Sequence, residues 1–417
     1  MVKKPLRIFN WAAFLQTQIF MLPVLLLFYQ ENGLTVGDYF LFQGIFSLTA
    51  LLFEIPCGYL GDSFSRRNIL ILSYSLFILR LLLWMHFGGY WIILAGEVLY
   101  SLSKACWSGV ADGYIYDYLK TQGKPEKMLK SYGKLNCFMS VGTAIASLAG
   151  AGMYGYLKQY FGAHTGFIIV MTIELIVNTA SVALLFLLPN VPPAKKQRLT
   201  MRDKYRDLFR ITRQALTDSR INWYMLFSGL AAGTTMIFVW GFQPLMKISM
   251  LPVYLFGVVY FINHMARAAS GIWLPKIIHF FTLKKLAVLV YVLFILSFIV
   301  ALNIMDAHPV YITLALFTFI CIAIAFQLSF TMANISRLHA LVSSDIRSTV
   351  SSVNNMISRT IAGVLLISFK FFLDDKSGAR FSLNEVYTIY LVLFLLVLFP
   401  LIKVLKTPDP APYTPPK

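Results

Sequence analysis

Acid is scarce in this chain. Of 417 residues only 18 are Asp or Glu, against 36 Lys or Arg. Charged residues of both signs make up 13% of the sequence, where a soluble domain carries about a quarter. Hydrophobic residues make up 58%, the mean hydropathy is +0.70, and the apolar runs are long and frequent. One core cannot bury that much, so an ordinary soluble fold is excluded. Cysteine is also sparse. Cys57, Cys106, Cys137 and Cys321 lie inside or at the edges of apolar runs, which leaves no disulfide framework and no metal-ligand spacing. No nucleophile elbow, phosphate-cradling glycine loop or metal motif is present, so the chain reads as no enzyme, with no cofactor and no metal. A cleavable signal peptide is not expected either: the run from Phe9 to Phe28 is too long for one and has no small-residue cleavage site.

What remains is membrane. A bilayer crossing needs roughly 20 mostly apolar residues. The sequence offers twelve such segments, at 8–29, 39–60, 69–89, 91–119, 133–157, 165–188, 221–246, 252–273, 284–304, 309–337, 347–372 and 382–404. The predicted class is an all-α membrane protein with twelve transmembrane helices. A net charge of +18 would suggest nucleic acid in a soluble protein. Here the basic residues sit between spans and the aromatics within them, so no nucleic-acid partner is expected.

Basic residues also set orientation. Lys3, Lys4 and Arg7, Arg66 and Arg67, Lys120 to Lys130, Lys195 to Arg220, Lys276 to Lys285, and Lys403 and Lys406 all fall on one side. The alternate loops, such as "QENGLTVGD" and "MDAHP", are nearly bare of them, except 370–382, where Asp374 and Asp375 offset Lys370, Lys376 and Arg380. Both termini are therefore expected in the cytoplasm. The longest polar stretch, residues 189–220, divides the spans into two sets of six. The expected organisation is an N-terminal six-helix bundle over 1–190, a basic cytoplasmic linker over 191–220, a C-terminal bundle over 221–404 and a disordered tail over 405–417. Within the linker, "LTMRDKYRDLFRITRQAL" spaces apolar residues at helical intervals among cations, which predicts an amphipathic helix on the membrane face.

Two stretches carry a resemblance. "GYLGDSFSRR", between the second and third spans, keeps Gly58, Leu60, Asp62, Arg66 and Arg67 of a pattern reading roughly Gly-x-Leu-Ala-Asp-Arg-x-Gly-Arg-Arg. "SLSKACWSGVADGYIYDYL" in the fourth span is similar to a second pattern, a basic residue, then Ser-Gly, then an acidic run; Lys104, Ser108, Gly109, Asp112 and Asp117 take its positions. Both resemble the major facilitator superfamily, of bacterial efflux-like type. The Gly-Pro core of drug/proton antiporters is absent from the fifth span. The resemblance implies two six-helix bundles that rock about a central cavity lined by spans one, four, seven and ten.

Ionisable groups at bilayer depth are costly and mark function or packing. Lys104 lies near the centre of the fourth span. It reads as a cavity cation for an anionic solute group or a proton-carrying carboxylate, or else as a lysine buried against Asp112 or a carboxylate of a neighbouring helix. Glu97 and Asp112 share its helix. Gln16, Trp107, Trp240, Gln243 and Gln327 complete the expected cavity on the implied spans. Asp112 and Glu54 can load and release protons, although Glu54 can equally pair with a basic residue of the adjoining loop. His264 is a relay or a packing residue. Glu174 and Arg80 are expected to form a packing ion pair. Gly58, Asp62, Arg66, Arg67, Asp117 and Arg347 form an expected conformational gate, with Asp62 at the N-terminus of the eleventh span.

The sequence thus reads as a secondary active transporter in a cell (inner) membrane. It moves a small organic solute by alternating access, coupled to protons, more in the direction of export, as a monomer in the lipid bilayer. Uptake or facilitated diffusion of a small polar metabolite is the second reading. A non-transporting receptor or scaffold is the third.

Overall fold

A computed structural model describes residues 3–86, 88–191, 206, 210, 219–280, 282–306, 308–342, 347–373 and 381–405. Every regular element among them is helical. The helices are α1 (Lys3–Gln16), α2 (Leu25–Glu31), α3 (Val36–Ser63), α4 (Arg66–His86), α5 (Tyr90–Thr121), α6 (Met128–Phe161) and α7 (Ala163–Phe186). After the linker come α8 (Ser219–Ile248), α9 (Val253–Phe280), α10 (Leu283–Ile304), α11 (Val310–Ala340), α12 (Arg347–Leu373) and α13 (Leu383–Leu405). Eight of these helices are long and apolar enough to cross a bilayer. The charge-bearing α5 is not among the eight, although it is one of the longest helices. The predicted amphipathic helix of the linker and the C-terminal tail lie outside the described residues.

Helix ends fall where the chemistry of the chain puts them. Thr35 and Asp38 form a reciprocal capping box at the start of α3, which satisfies two N–H groups that the first turn leaves open. Gly162 ends α6 and starts α7 at φ +82°, a backbone angle that favours glycine.

The first predicted span, 8–29, is not one helix. α1 stops at Gln16, and α2 begins at Leu25 after a 3₁₀ turn over Leu22–Val24. Pro23 supplies no N–H and its ring crowds the carbonyl of Ile19, which disfavours a regular helix there, whereas Pro56 and Pro244 are accommodated within α3 and α8. The residues of the break, Thr17 to Met21, are all buried. Freed backbone groups in lipid need internal partners. Met21 N–H donates to Glu174 Oε2 at 2.9 Å. The side chains of Gln18, whose Nε2 donates to the Gly142 carbonyl at 3.0 Å, and of Ser181, whose Oγ donates to the Ala12 carbonyl at 2.7 Å, tie the same region to α6 and α7. Gly150 admits this close approach: a Cβ there would stand 2.0 Å from the Phe20 carbonyl oxygen.

By backbone contacts the chain forms two compact units. The first comprises residues 1–202 and 252–268, that is α1 to α7 with the start of α9. α5 packs on α3 and α4, and α7 packs on α1, α4 and α6. The start of α9 lies against α6, where a Cβ on Gly257 would stand 2.4 Å from the Ser147 carbonyl oxygen. This is the close helix approach that small residues permit in membranes. Cys57 of α3 and Cys106 of α5 are buried with their sulfurs 2.9 Å apart. The second unit comprises residues 203–251 and 269–417. Within it α8 packs on α12 and α11, and α10 on α11 and α13. Its interior is aromatic: Tyr291 stacks on Phe394 at 4.1 Å and Phe369 on Tyr390 at 4.7 Å.

Candidate functional site

α5 carries Glu97, Lys104, Asp112 and Asp117 along one helix. Glu97 and Lys104 are seven residues apart, two turns or about 10 Å, on one face. Glu97 is 1% exposed. It accepts hydrogen bonds from Tyr29 Oη at 2.7 Å and from Arg80 Nη2 at 3.3 Å. Arg80, 2% exposed, lies with its guanidinium carbon 3.9 Å from the Trp84 ring centroid and 4.5 Å from that of Tyr100. These ring faces attract the cation. Arg80 Nε and Nη1 have no hydrogen-bond partner among the described residues.

Lys104 extends this arrangement. It is half-buried, and its Nζ stands 5.2 Å from the centroid of the same Tyr100 ring. Tyr100 thus stands between two cations, and Glu97 is the carboxylate bonded to one of them. Lys104 forms no ion pair with a described carboxylate. Asp112, two turns further along, is exposed and does not pair with it. The cluster therefore carries one more positive than negative charge, with Glu97 and Arg80 buried and Lys104 half-buried.

Arg80 and Glu174 do not form the ion pair expected of them. Arg80 sits on α4 and reaches Glu97 across the tight α4–α5 hairpin. Glu174 is spent on the break in the first span, where it accepts from Met21 N–H.

The remaining expected residues fall as follows. Gln16 is buried at the last residue of α1, and Trp107 packs against the core of the first unit beside Tyr74. In the second unit, Gln243 is fully buried and Trp240 half-buried on α8. Gln327 on α11 donates to Thr331 Oγ1 at 2.8 Å. Glu54 is half-buried on α3, two residues before Pro56 within the helix. His264 is half-buried on α9, one turn from Arg267.

The gate residues separate into two groups. Arg66 Nε donates to Asp117 Oδ2 at 2.7 Å, joining α4 to α5. Gly113 makes room for that guanidinium: a Cβ there would stand 1.6 Å from Arg66 Nη1. Arg67 Nη1 donates to the Leu188 carbonyl at 3.2 Å, and Tyr114 Oη to the Pro189 carbonyl at 3.2 Å, where α7 has ended. Ser65 Oγ donates to Asn190 Oδ1. The loop thus ties the ends of α3, α4, α5 and α7 together. Gly58 has open space around it. The side chains of Asp62 and Arg347 lie outside the described residues, and so does the contact expected between Asp62 and the eleventh span.

Four contributors were not singled out in the sequence. Tyr29, Trp84 and Tyr100 hold the charges, and Gly113 admits Arg66. Pro23 was the available signal for the broken span. No local pattern marks the aromatics, because 15% of the chain is Phe, Trp or Tyr. Among the described residues no three His, Cys, Asp or Glu side chains are grouped to hold a metal ion.

Comparison with known proteins agrees with this architecture. The Major Facilitator Superfamily model matches residues 8–367. No curated protein matches the sequence. Among solved structures the fold is similar to a variant of the nucleoside transporter NupG, at 15% identity and a TM-score of 0.79, covering 98% of this chain and 100% of that one. A POT family transporter in complex with 5-aminolevulinic acid is similar at 13% identity and a TM-score of 0.68, with 97% of each chain covered. A bacterial homolog of the human lysosomal transporter Spinster, in an inward-facing and occupied conformation, is similar at 15% identity and a TM-score of 0.62, over 87% of this chain and 80% of that one. At these identities the structures speak for the fold alone, while the family model spans most of the chain. Helical membrane segments, the loop of Gly58 to Arg67 and the matched family model together place this chain in the major facilitator superfamily, as a multi-pass membrane transporter and not an enzyme.

Proposed function

We propose that the protein is a proton-coupled secondary transporter of a small polar organic solute, with Lys104 as the cation of its solute site. The observation that carries this reading is the position of Lys104: half-buried, held over Tyr100, and unmatched by any described carboxylate. Keeping a charge at bilayer depth costs several kcal/mol unless something compensates it. A scaffold gains nothing from that cost. A transporter gains a group that binds a solute anion in one state and a protonatable carboxylate in another. In this reading Asp112 is the exchangeable carboxylate, and Gln16 and Trp107 supply hydrogen bonding and stacking. Gln243, Trp240 and Gln327 serve the same purpose from the second half.

The two halves exchange access to the solute by rocking, as inverted-repeat transporters do. Both termini face the cytoplasm, because the basic loops lie on that side. Export is the proposed direction, supported by the efflux-like character of the second-span and fourth-span motifs. The similar nucleoside transporter and the POT family transporter in complex with 5-aminolevulinic acid suggest nucleosides and 5-aminolevulinic acid as first solutes to screen. The test is a thermal-shift screen of the purified protein, followed by flux of each hit in proteoliposomes. Lys104→Ala is expected to abolish flux while leaving the unfolding midpoint near wild type. Unchanged flux would remove Lys104 from the site.

A further inference from the structure

A basic cavity lies in the first unit, at the end of the bundle that carries Arg66 and Arg67. It has a volume of about 960 Å³ and is bounded by the start of α1, the end of α5 and the start of α6. Its walls carry Lys4, Arg7, Lys124, Lys127, Lys130 and Lys134. Among the described residues no acidic side chain lines it. Glu126 belongs to the same turn as Lys127 and is not part of the wall. Leu6, Ile115 and Leu119 give the cavity an apolar floor.

Orientation of the protein in the membrane requires cations in the loop, but not six of them around one hollow. The six side chains are exposed to solvent, and among the described residues of the wall there is no carboxylate to neutralise them. The start of α6 adds to this imbalance. The N-terminus of a helix carries partial positive charge and favours anions. α6 begins instead with Lys127 at its cap and Lys130 and Lys134 in the next turns, with no acidic residue in its first turn. The Lys127 side chain makes no cap hydrogen bond, and a 3₁₀ turn over Pro125–Lys127 leads directly into the helix. One bound anion would face both features together: six cations around one hollow and a helix start that carries lysines and no acid.

We propose that this cavity is a binding site for a phosphate-bearing anion, separate from the Glu97–Lys104 cluster. Phosphate offers the charge and the several acceptor oxygens that lysines, an arginine and helix amides engage together. Two sources share that chemistry: the headgroup of an anionic phospholipid, and a soluble phosphate compound. Basic pockets between helices near the membrane surface suit the first, and the apolar floor would accept the adjoining glycerol.

The experiment titrates the purified full-length protein with three probes and follows its thermal unfolding midpoint. These are short-chain phosphatidylglycerol, short-chain phosphatidylcholine, and inorganic pyrophosphate at fixed ionic strength. Wild type is compared with Lys124→Gln/Lys127→Gln/Lys130→Gln and with Lys158→Gln/Lys247→Gln/Lys285→Gln, which removes equal charge elsewhere. The expected result is a saturable rise in midpoint with phosphatidylglycerol or pyrophosphate. The apparent Kd should weaken about tenfold or more in the cavity variant and stay unchanged in the control. Response to the lipid alone assigns a headgroup, and response to pyrophosphate alone a soluble ligand. If the triple variant does not fold, Lys124→Gln and Lys130→Gln singly should each weaken binding. Equal responses in wild type and cavity variants, or no difference between phosphatidylglycerol and phosphatidylcholine together with no pyrophosphate effect, would overturn the proposal.

Discussion

Arg80 illustrates how a charge is kept in the interior of this protein. It has one carboxylate partner and three aromatic faces within 5.5 Å, and two of its donor nitrogens are unpaired among the described residues. A buried ion pair adds little net stability, but removing one partner strands the other. Arg80→Leu is therefore expected to destabilise the protein by about 3–5 kcal/mol. Arg80→Leu/Glu97→Leu should recover a large part of that loss. Reversible denaturant unfolding of the two variants checks this, and a double variant no better than the single one would show that the pair is not coupled. Tyr29→Phe removes one hydrogen bond to a charged group, at an expected cost of about 1.5–3 kcal/mol. Lys104 differs from Arg80 because no described carboxylate would be stranded by its loss. Lys104→Ala should leave stability near wild type, and its effect belongs to transport.

At the scale of elements, two contacts decide the shape of the first unit. One is the break between α1 and α2, where Glu174 replaces the partner that a continuous helix would have given Met21 N–H. Glu174→Leu leaves that amide unsatisfied in a buried setting and is expected to cost about 1–3 kcal/mol. Glu174→Gln keeps an acceptor and should cost less. The other is the Arg66–Asp117 bridge in the space left by Gly113. Gly113→Ala would drive the guanidinium off its partner, so it should act through the same contact as Asp117→Asn. The double variant should then fall well short of additivity in a stability cycle. Full additivity would separate Gly113 from the bridge.

Helix positions were legible in the sequence because lipid leaves the chain few options. A run of apolar residues in a bilayer must close its own hydrogen bonds, and the predicted edges at 39–60 or 284–304 lie close to those of Val36–Ser63 and Leu283–Ile304. Apolar length alone does not show the break in the first span, although Pro23 in the 3₁₀ turn marks it. The partner of Arg80 was missed for a different reason. Span order says which helices are neighbours, but not which of two buried carboxylates a guanidinium reaches. That choice is set by the α4–α5 hairpin and by the demand of Met21 N–H on Glu174. Lys104 could be singled out because a lone cation in an apolar run is conspicuous. The aromatic rings that hold it could not.

At the scale of the whole molecule, belonging to the major facilitator superfamily makes the chain a transporter. The proposal adds that protons drive it and that Lys104 couples proton to solute. The most direct test uses proteoliposomes loaded with a pH-sensitive dye and given a solute found by thermal shift. Wild type should move protons on addition of that solute, and Lys104→Ala should bind it more weakly and move none. Solute flux without any change in lumenal pH, or proton flux undiminished in Lys104→Ala, would contradict the proposed coupling.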